Sequence, residues 1–194
     1  MRSVIGLLLF VLSVLMSTAR ADQVRPARDY MQGVASGNYV LVMLARQDRS
    51  LLDPDGPDDA GLIERDAVLR QRYKQSGLYP AGDTTPLWVI DWYAFTVFPA
   101  SDGVHLVRLG PWASSLDQLA LAFYASGVEI KRYPIRELVA DTSRLRRTVS
   151  HFFWLAEQRF DDAAGEFHLK TVDGRQFRFS IRTGEMLSVI DQAR

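Results

Sequence analysis

Apolar and polar residues alternate most regularly near the end of the chain. Every second residue of 166–171 lies on one face with Phe167 and Leu169, and 176–181 repeats the pattern around Phe177 and Phe179. An Asp-Gly pair at 173–174 separates the two runs, and a Thr-Gly pair at 183–184 precedes a third. A period of two is typical of strands with one buried face, and Asp-Gly is a hairpin turn signal. The pattern predicts a three-strand antiparallel meander.

The central stretch, residues 86–112, carries the largest apolar side chains. Two strand-like runs flank Ser101-Asp102-Gly103, which predicts a hairpin. The stretch holds three of the four tryptophans: Trp88, Trp92 and Trp112. Trp88, Ile90 and Trp92 would share one strand face. We expect nearly all of this stretch to be buried, with other elements packed on both sides of it.

The remaining elements are read from shorter patterns. Residues 38–45 form an apolar run typical of a buried strand. Residues 60–76 show helical spacing, with Gly77 placed where a left-handed residue would end the helix. Residues 118–124 and 128–133 predict a second hairpin, with Val128 and Ile130 facing inward, and Pro134 precedes a short helical turn.

Residues 141–160 fit either a helical face or a strand. The aromatic and β-branched run 149–155 favours a basic turn at 142–147 followed by a strand. The whole chain therefore predicts a mainly antiparallel β fold, in a two-sheet or blade-like arrangement, with one packed α-helix.

The first residues read as an export signal. Arg2 precedes an apolar run at 4–16, and Ala19-Arg20-Ala21 fits a cleavage site, so residues 1–21 are predicted to be a signal peptide. The alternative is an uncleaved anchor helix, but a bilayer span needs roughly 20 apolar residues. We expect a flexible lead-in at 22–37, a single β-rich domain at 38–194, and a periplasmic or extracellular location.

Charge and cysteine content limit which partners the chain can bind and how its fold can be stabilised. The chain has 23 basic and 23 acidic residues, so it lacks the basic surplus typical of nucleic-acid binding. It has no cysteine, which excludes disulfides and a lipoprotein attachment site. The domain must therefore be held together by its own core.

Several segments resemble known families. Ser101–Val107 is similar to a strand pair of WD40-type β-propeller blades, and Phe177–Gly184 is similar to the strand and Thr-Gly turn of quinoprotein-type blades. The runs at 76–80, 86–93 and 102–115 resemble SGLYP, PLWxxDWY and DGxHLVRxGPWASS of small exported bacterial proteins of unassigned function. The blade resemblance implies blade-like sheets. The two Asp-Gly turns lie 71 positions apart, whereas blades recur about every 40–50 residues, so a closed propeller is not expected.

Asp91 is the most unusual residue of the central stretch, because a carboxylate between Ile90 and Trp92 is costly unless it is paired. One interpretation is a buried ion pair with Arg108. The other is a ligand-facing acid among aromatic side chains, a mixture typical of small-ligand sites. The candidate ligand-binding residues are Trp88, Asp91, Trp92, His105 and Arg108.

An acidic loop offers a candidate calcium site. With Asp53 as the first position of an EF-hand-type loop, Asp55 takes position three and Glu64 position twelve. Pro57 and Gly56 do not fit that loop, so a solvated helix-capping loop is the alternative. The three histidines show no zinc-type spacing.

Three functions from different classes follow. The first is a non-catalytic exported domain that binds a protein partner or an envelope ligand. The second is a small hydrolase with a site near Asp91, His105 and Ser114, which requires these side chains to converge. The third is a calcium-stabilised module.

Overall fold

The computed structural model describes residues 27–46 and 59–191, and for residues 59–64 it describes the backbone alone. The predicted signal peptide, the beginning of the lead-in, and Asp53 and Asp55 lie outside the described residues, as does the side chain of Glu64.

The described strands form three four-stranded antiparallel sheets, each in chain order, and one two-stranded ribbon. Sheet A contains β1 (Tyr30–Gly33), β2 (Tyr39–Met43), β3 (Ser76–Pro80) and β4 (Trp88–Ile90). Sheet B contains β5 (Val97–Pro99), β6 (His105–Leu109), β7 (Leu119–Ala125) and β8 (Val128–Pro134). The ribbon pairs β9 (Arg146–Arg147) with β10 (Phe152–Phe153). Sheet C contains β11 (Leu155–Asp161), β12 (Glu166–Thr171), β13 (Gln176–Ser180) and β14 (Met186–Ile190).

Two helices complete the described fold. Helix α1 (Asp59–Arg72) connects β2 to β3, and its Leu69 packs against Val42 and Tyr79 of sheet A. Helix α2 (Ile135–Leu138) follows β8. The mainly antiparallel β fold with one packed helix is confirmed. No helix in the described part of the chain is long and apolar enough to cross a membrane.

Sheet B is the middle layer of the molecule, because alternate residues of its strands enter two different cores. On one face, Val107, Leu121 and Phe123 pack with the aromatic residues of sheet C. On the other face, Leu106 and Ala122 pack with sheet A. The sheet-C side of the first core comprises Phe167, Leu169, Phe177, Phe179 and Ile181. Burial on both faces explains why β7 is apolar throughout.

The C-terminal meander has the predicted strands and faces. Phe167 pairs with Phe179 and Leu169 pairs with Phe177, and these side chains are buried. Strand β11 adds a fourth strand, so the strand favoured for the ambiguous segment is confirmed. A 3₁₀ turn at Thr142–Arg144 precedes it, within the predicted basic turn.

The central stretch differs from the prediction, because it crosses from one sheet to another. Strand β4 ends at Ile90 in sheet A, and β5 begins at Val97 in sheet B. The predicted Asp-Gly hairpin exists, but it joins β5 to β6, and residues 91–96 form a link between the sheets. Leu87, Val89 and Asp91 are exposed rather than buried, since β4 is the edge strand of sheet A.

Two smaller predictions were also wrong. Gly77 does not end the helix but pairs within β3. Val128 and Ile130 are exposed, because they lie on the edge strand of sheet B. In addition, residues 30–33, within the segment predicted as a lead-in, form β1, which pairs with β2.

Candidate functional site

The link between sheets A and B places an aromatic side chain over a cation. Arg108 lies on β6, on the face of sheet B that is directed toward sheet A, and its guanidinium carbon lies 4.4 Å from the centroid of the Trp92 ring. Its Nη2 donates to the Tyr93 carbonyl at 3.3 Å, and its Nη1 lies 3.5 Å from the Tyr124 hydroxyl. The Trp92 and Tyr124 rings are 4.8 Å apart. We name Trp92, Tyr93, Arg108, Tyr124 and Glu129 the Trp92–Arg108 cluster.

Two nitrogen donors of the cluster have no acceptor. Arg108 Nε and Trp92 Nε1 are buried, and neither finds a hydrogen-bond partner among the described residues. A buried donor without a partner costs roughly 1–3 kcal/mol. Arg108 also forms no ion pair with any carboxylate in the described ranges. The two donors therefore leave hydrogen-bonding capacity unused inside the cluster.

The neighbouring carboxylate is already engaged. Glu129 accepts two hydrogen bonds from Arg132, at 2.5 and 2.8 Å, and one from the Tyr124 hydroxyl at 3.1 Å. The bond from Arg132 and, to a smaller extent, those from Tyr124 and the charge of Arg108 lower the pKa of Glu129. Burial raises the pKa of Tyr124. Glu129 is thus ionised and Tyr124 is neutral near pH 7. Arg108 and Arg132 are positive and Glu129 is negative, so the cluster together with Arg132 carries one excess positive charge.

Asp91 lies outside this cluster. It is exposed and lines a surface depression of about 410 Å³ together with Gln75, Ser76, Val89 and Gly127. It forms no ion pair with Arg108, so the predicted buried pair is wrong. The carboxylate is tolerated next to Ile90 because its side chain points into solvent from the end of an edge strand.

His105 has a different acid as its partner. Its Nδ1 lies 2.6 Å from Asp102 Oδ2, and Asp102 Oδ1 accepts the backbone N–H groups of Val104 and His105. Burial raises the pKa of Asp102, but these hydrogen bonds outweigh it and the pKa is lowered. The pair caps the turn that begins β6.

The other two predicted residues, Ser114 and Trp88, form hydrogen bonds elsewhere in the fold. The backbone N–H of Ser114 donates to Gln118 Oε1 at 2.6 Å, beyond the opposite end of β6 from His105. Trp88 is buried, and its Nε1 donates to the Gly103 carbonyl at 2.8 Å. Of the predicted ligand-binding residues, the structure brings together only Trp92 and Arg108.

Sequence reasoning missed Tyr124 and Glu129 of the cluster. They belong to the second hairpin, β7–β8, and reach Arg108 only because β7 pairs with β6. The alternation of β7 shows that Tyr124 shares a face with Ala122, but it does not show which layer covers that face. No group of three or more potential metal ligands lies within the described residues.

No protein-family model matches the chain, and no curated protein matches it significantly. The class that the structure defines is a three-layer antiparallel β domain with an aromatic–arginine cluster between two of its layers.

Proposed function

We propose that the chain is an exported binding domain whose Trp92–Arg108 cluster holds the carboxylate or phosphate group of a small envelope ligand. The observation that carries this proposal is the pair of buried donors, Arg108 Nε and Trp92 Nε1, that have no acceptor among the described residues. The signal-peptide pattern of residues 1–21 supports export.

The chemistry of the cluster favours an anion over other ligands. An oxyanion carries several acceptors and no donor, so it complements two N–H groups and one positive charge. Arg108 and Trp92 are each half-buried as residues, but their two unpartnered nitrogens are buried, so the Arg108 side chain must move before a ligand group reaches them. Hydrogen bonds to charged groups contribute about 1.5–3 kcal/mol each, so two such bonds favour an anion over a neutral ligand of the same shape.

The geometry supports binding rather than hydrolysis. A hydrolytic site needs a nucleophile, a base and an orienting acid within hydrogen-bond reach. His105 has its acid, Asp102, but Ser114 is bonded to Gln118 beyond the far end of β6.

Isothermal titration calorimetry with inorganic phosphate and with glutarate tests the proposal. We expect saturable binding of at least one probe, and at least about a tenfold loss of affinity in Arg108→Met, which removes one charge-assisted bond. The matched control is Arg72→Met. Arg72 also lies over an aromatic ring, 5.3 Å from the Tyr73 centroid, and donates to the Gly82 carbonyl at 3.3 Å, but it is exposed.

Arg108→Lys and Trp92→Phe separate charge from hydrogen bonding. Arg108→Lys keeps the charge but removes the Nε donor together with the guanidinium contacts to Tyr93 and Tyr124. Trp92→Phe keeps an aromatic ring but removes the Nε1 donor, so each variant should weaken binding. The proposal fails if neither probe binds saturably, or if Arg108→Met binds as tightly as Arg72→Met.

A further inference from the structure

The ribbon β9–β10 presents an apolar tip to solvent. Its strands are joined by residues 148–151, and this turn is closed by the Thr148 N–H, which donates to the His151 carbonyl at 2.7 Å. The Thr148 hydroxyl also lies 2.8 Å from His151 Nδ1. Val149 is fully exposed at this tip. A valine at a solvent-facing turn gains nothing from burial in the folded monomer.

Two aromatic rings extend the apolar surface beside the tip. Trp112 is 41% exposed and Phe153 is 46% exposed. Both rings contact the His151 ring, at centroid distances of 4.2 and 5.0 Å. Single exposed apolar residues are ordinary, but Trp112 and Phe153 are connected through the His151 ring, two residues from the exposed Val149, and grouped exposed apolar residues are typical of interaction sites.

Two arginines flank the ribbon, one on each face: Arg146 pairs with the exposed Phe153, and Arg147 pairs with the buried Phe152. Arg146 and Arg147 are exposed, and their guanidinium carbons lie 5.8 Å from the Phe153 ring and 5.5 Å from the Phe152 ring. Neither arginine forms an ion pair with a carboxylate in the part of the chain that the structure describes. We name Trp112, Arg146, Arg147, Val149 and Phe153 the ribbon surface.

The ribbon surface is held rigidly by the core. Phe152 is buried in the core between sheets B and C, and its N–H donates to the Ala113 carbonyl at 2.8 Å. This bridge fixes the ribbon beside the segment that carries Trp112. The exposed groups are therefore presented together by a supported element.

We propose that the ribbon surface docks the protein onto an anionic phospholipid bilayer. The charge of the surface is complementary to that of anionic headgroups, because its two arginines have no carboxylate partner among the described residues. Tryptophan and phenylalanine are suited to the headgroup region, and the protruding Val149 can enter the acyl boundary. A projecting apolar tip fits a soft lipid surface better than a flat protein surface. This docking is independent of the proposed ligand site, since the two share no residue.

Sedimentation with vesicles tests the docking proposal. We expect the exported protein, from which the cell has removed residues 1–21, to bind vesicles that contain phosphatidylglycerol and phosphatidylcholine. It should bind vesicles of pure phosphatidylcholine much more weakly. Each of Arg146→Ser and Arg147→Ser should weaken binding about fivefold, and added salt should weaken it further. Val149→Asp should weaken it as well, through lost insertion and charge repulsion.

Matched controls carry the same changes elsewhere on the surface. Arg182→Ser removes an exposed arginine beyond β13, and Val128→Asp changes a valine that is 68% exposed on the edge strand of sheet B. Both should bind vesicles as the unchanged protein does. Because all these positions are exposed, circular dichroism should show the same fold in every variant.

Tryptophan fluorescence supplies a second measurement. Insertion should shift the emission to the blue with anionic vesicles, and Trp112→Phe should remove that shift. The proposal is overturned if anionic vesicles do not bind, or if the controls lose binding as much as the ribbon variants. Binding of soluble polyglutamate to the ribbon surface without binding of vesicles would also overturn it, and would identify an acidic protein as the partner.

Discussion

Gly77 lies between two strands of sheet A and leaves no space for a side chain. A Cβ atom at this position would stand 2.2 Å from the Trp88 carbonyl oxygen. We expect Gly77→Ala to lower the free energy of unfolding by at least about 3 kcal/mol, since backbone must move to relieve the contact. The control is Gly33→Ala on β1, where nothing lies within 4 Å. Chemical denaturation of both variants checks this, and similar stabilities would contradict the packing described for β3.

The residues of the site could be predicted individually but not as a group. The sequence indicated Trp92 and Arg108 only through Asp91: Trp92 as an aromatic neighbour, and Arg108 as a candidate ion-pair partner. With residues 86–93 taken as one continuous strand, the two interpretations of Asp91 were a buried pair with Arg108 and a ligand-facing acid. The chain instead leaves sheet A after Ile90, so Asp91 faces solvent and Trp92 turns toward Arg108. Alternation predicts the face of a side chain but not the partner that covers it.

At the scale of elements, Asp173 connects the β12–β13 turn to the segment after α2. Its Oδ2 accepts the N–H groups of Ala140 and Asp141 at 2.8 and 2.9 Å, and its Oδ1 accepts the Thr171 hydroxyl. Burial raises the pKa of Asp173, but the hydrogen bonds outweigh burial and the pKa is lowered.

The lowered pKa predicts a pH dependence of stability. Because the carboxylate is favoured in the folded state, its contribution is fully present above the ordinary aspartate pKa and is lost as the pH falls through the lowered folded-state value. Asp173→Asn should therefore be less stable than the unchanged protein at pH 7, and the difference should shrink in acid. Urea unfolding measured from pH 7 to pH 3 checks this, and a constant difference across that range would contradict it.

Strands were predicted more reliably than their sheets. The meander of sheet C and the β7–β8 hairpin follow from period-two patterns and turn residues that act over short distances. The inward direction of Val128 and Ile130 was wrong, because β8 is an edge strand and these two residues are not covered. Strand order depends on contacts between distant residues, which local alternation does not encode.

The whole molecule depends on sheet B, which separates two cores. Neighbouring residues of β6 enter opposite cores: Leu106 packs toward sheet A and Val107 toward sheet C, and both are fully buried. We expect Leu106→Ala and Val107→Ala each to cost about 2 kcal/mol or more. Both variants should unfold in one transition, since the same strand joins the two cores. Circular dichroism and tryptophan fluorescence recorded on heating check this, and separate transitions for the two probes would show that the layers unfold independently.

The tryptophan indole resonances of the ¹⁵N-labelled protein, titrated with phosphate and with glutarate, provide the most direct test of the proposed ligand site. The Trp92 Nε1–H has no acceptor among the described residues, whereas the Trp88 Nε1–H is bonded to the Gly103 carbonyl. We predict that the Trp92 signal shifts saturably with at least one probe, that the Trp88 signal does not, and that Arg108→Met removes the shift. An unmoved Trp92 signal, or an equal shift of both signals, would contradict a ligand site at the Trp92–Arg108 cluster.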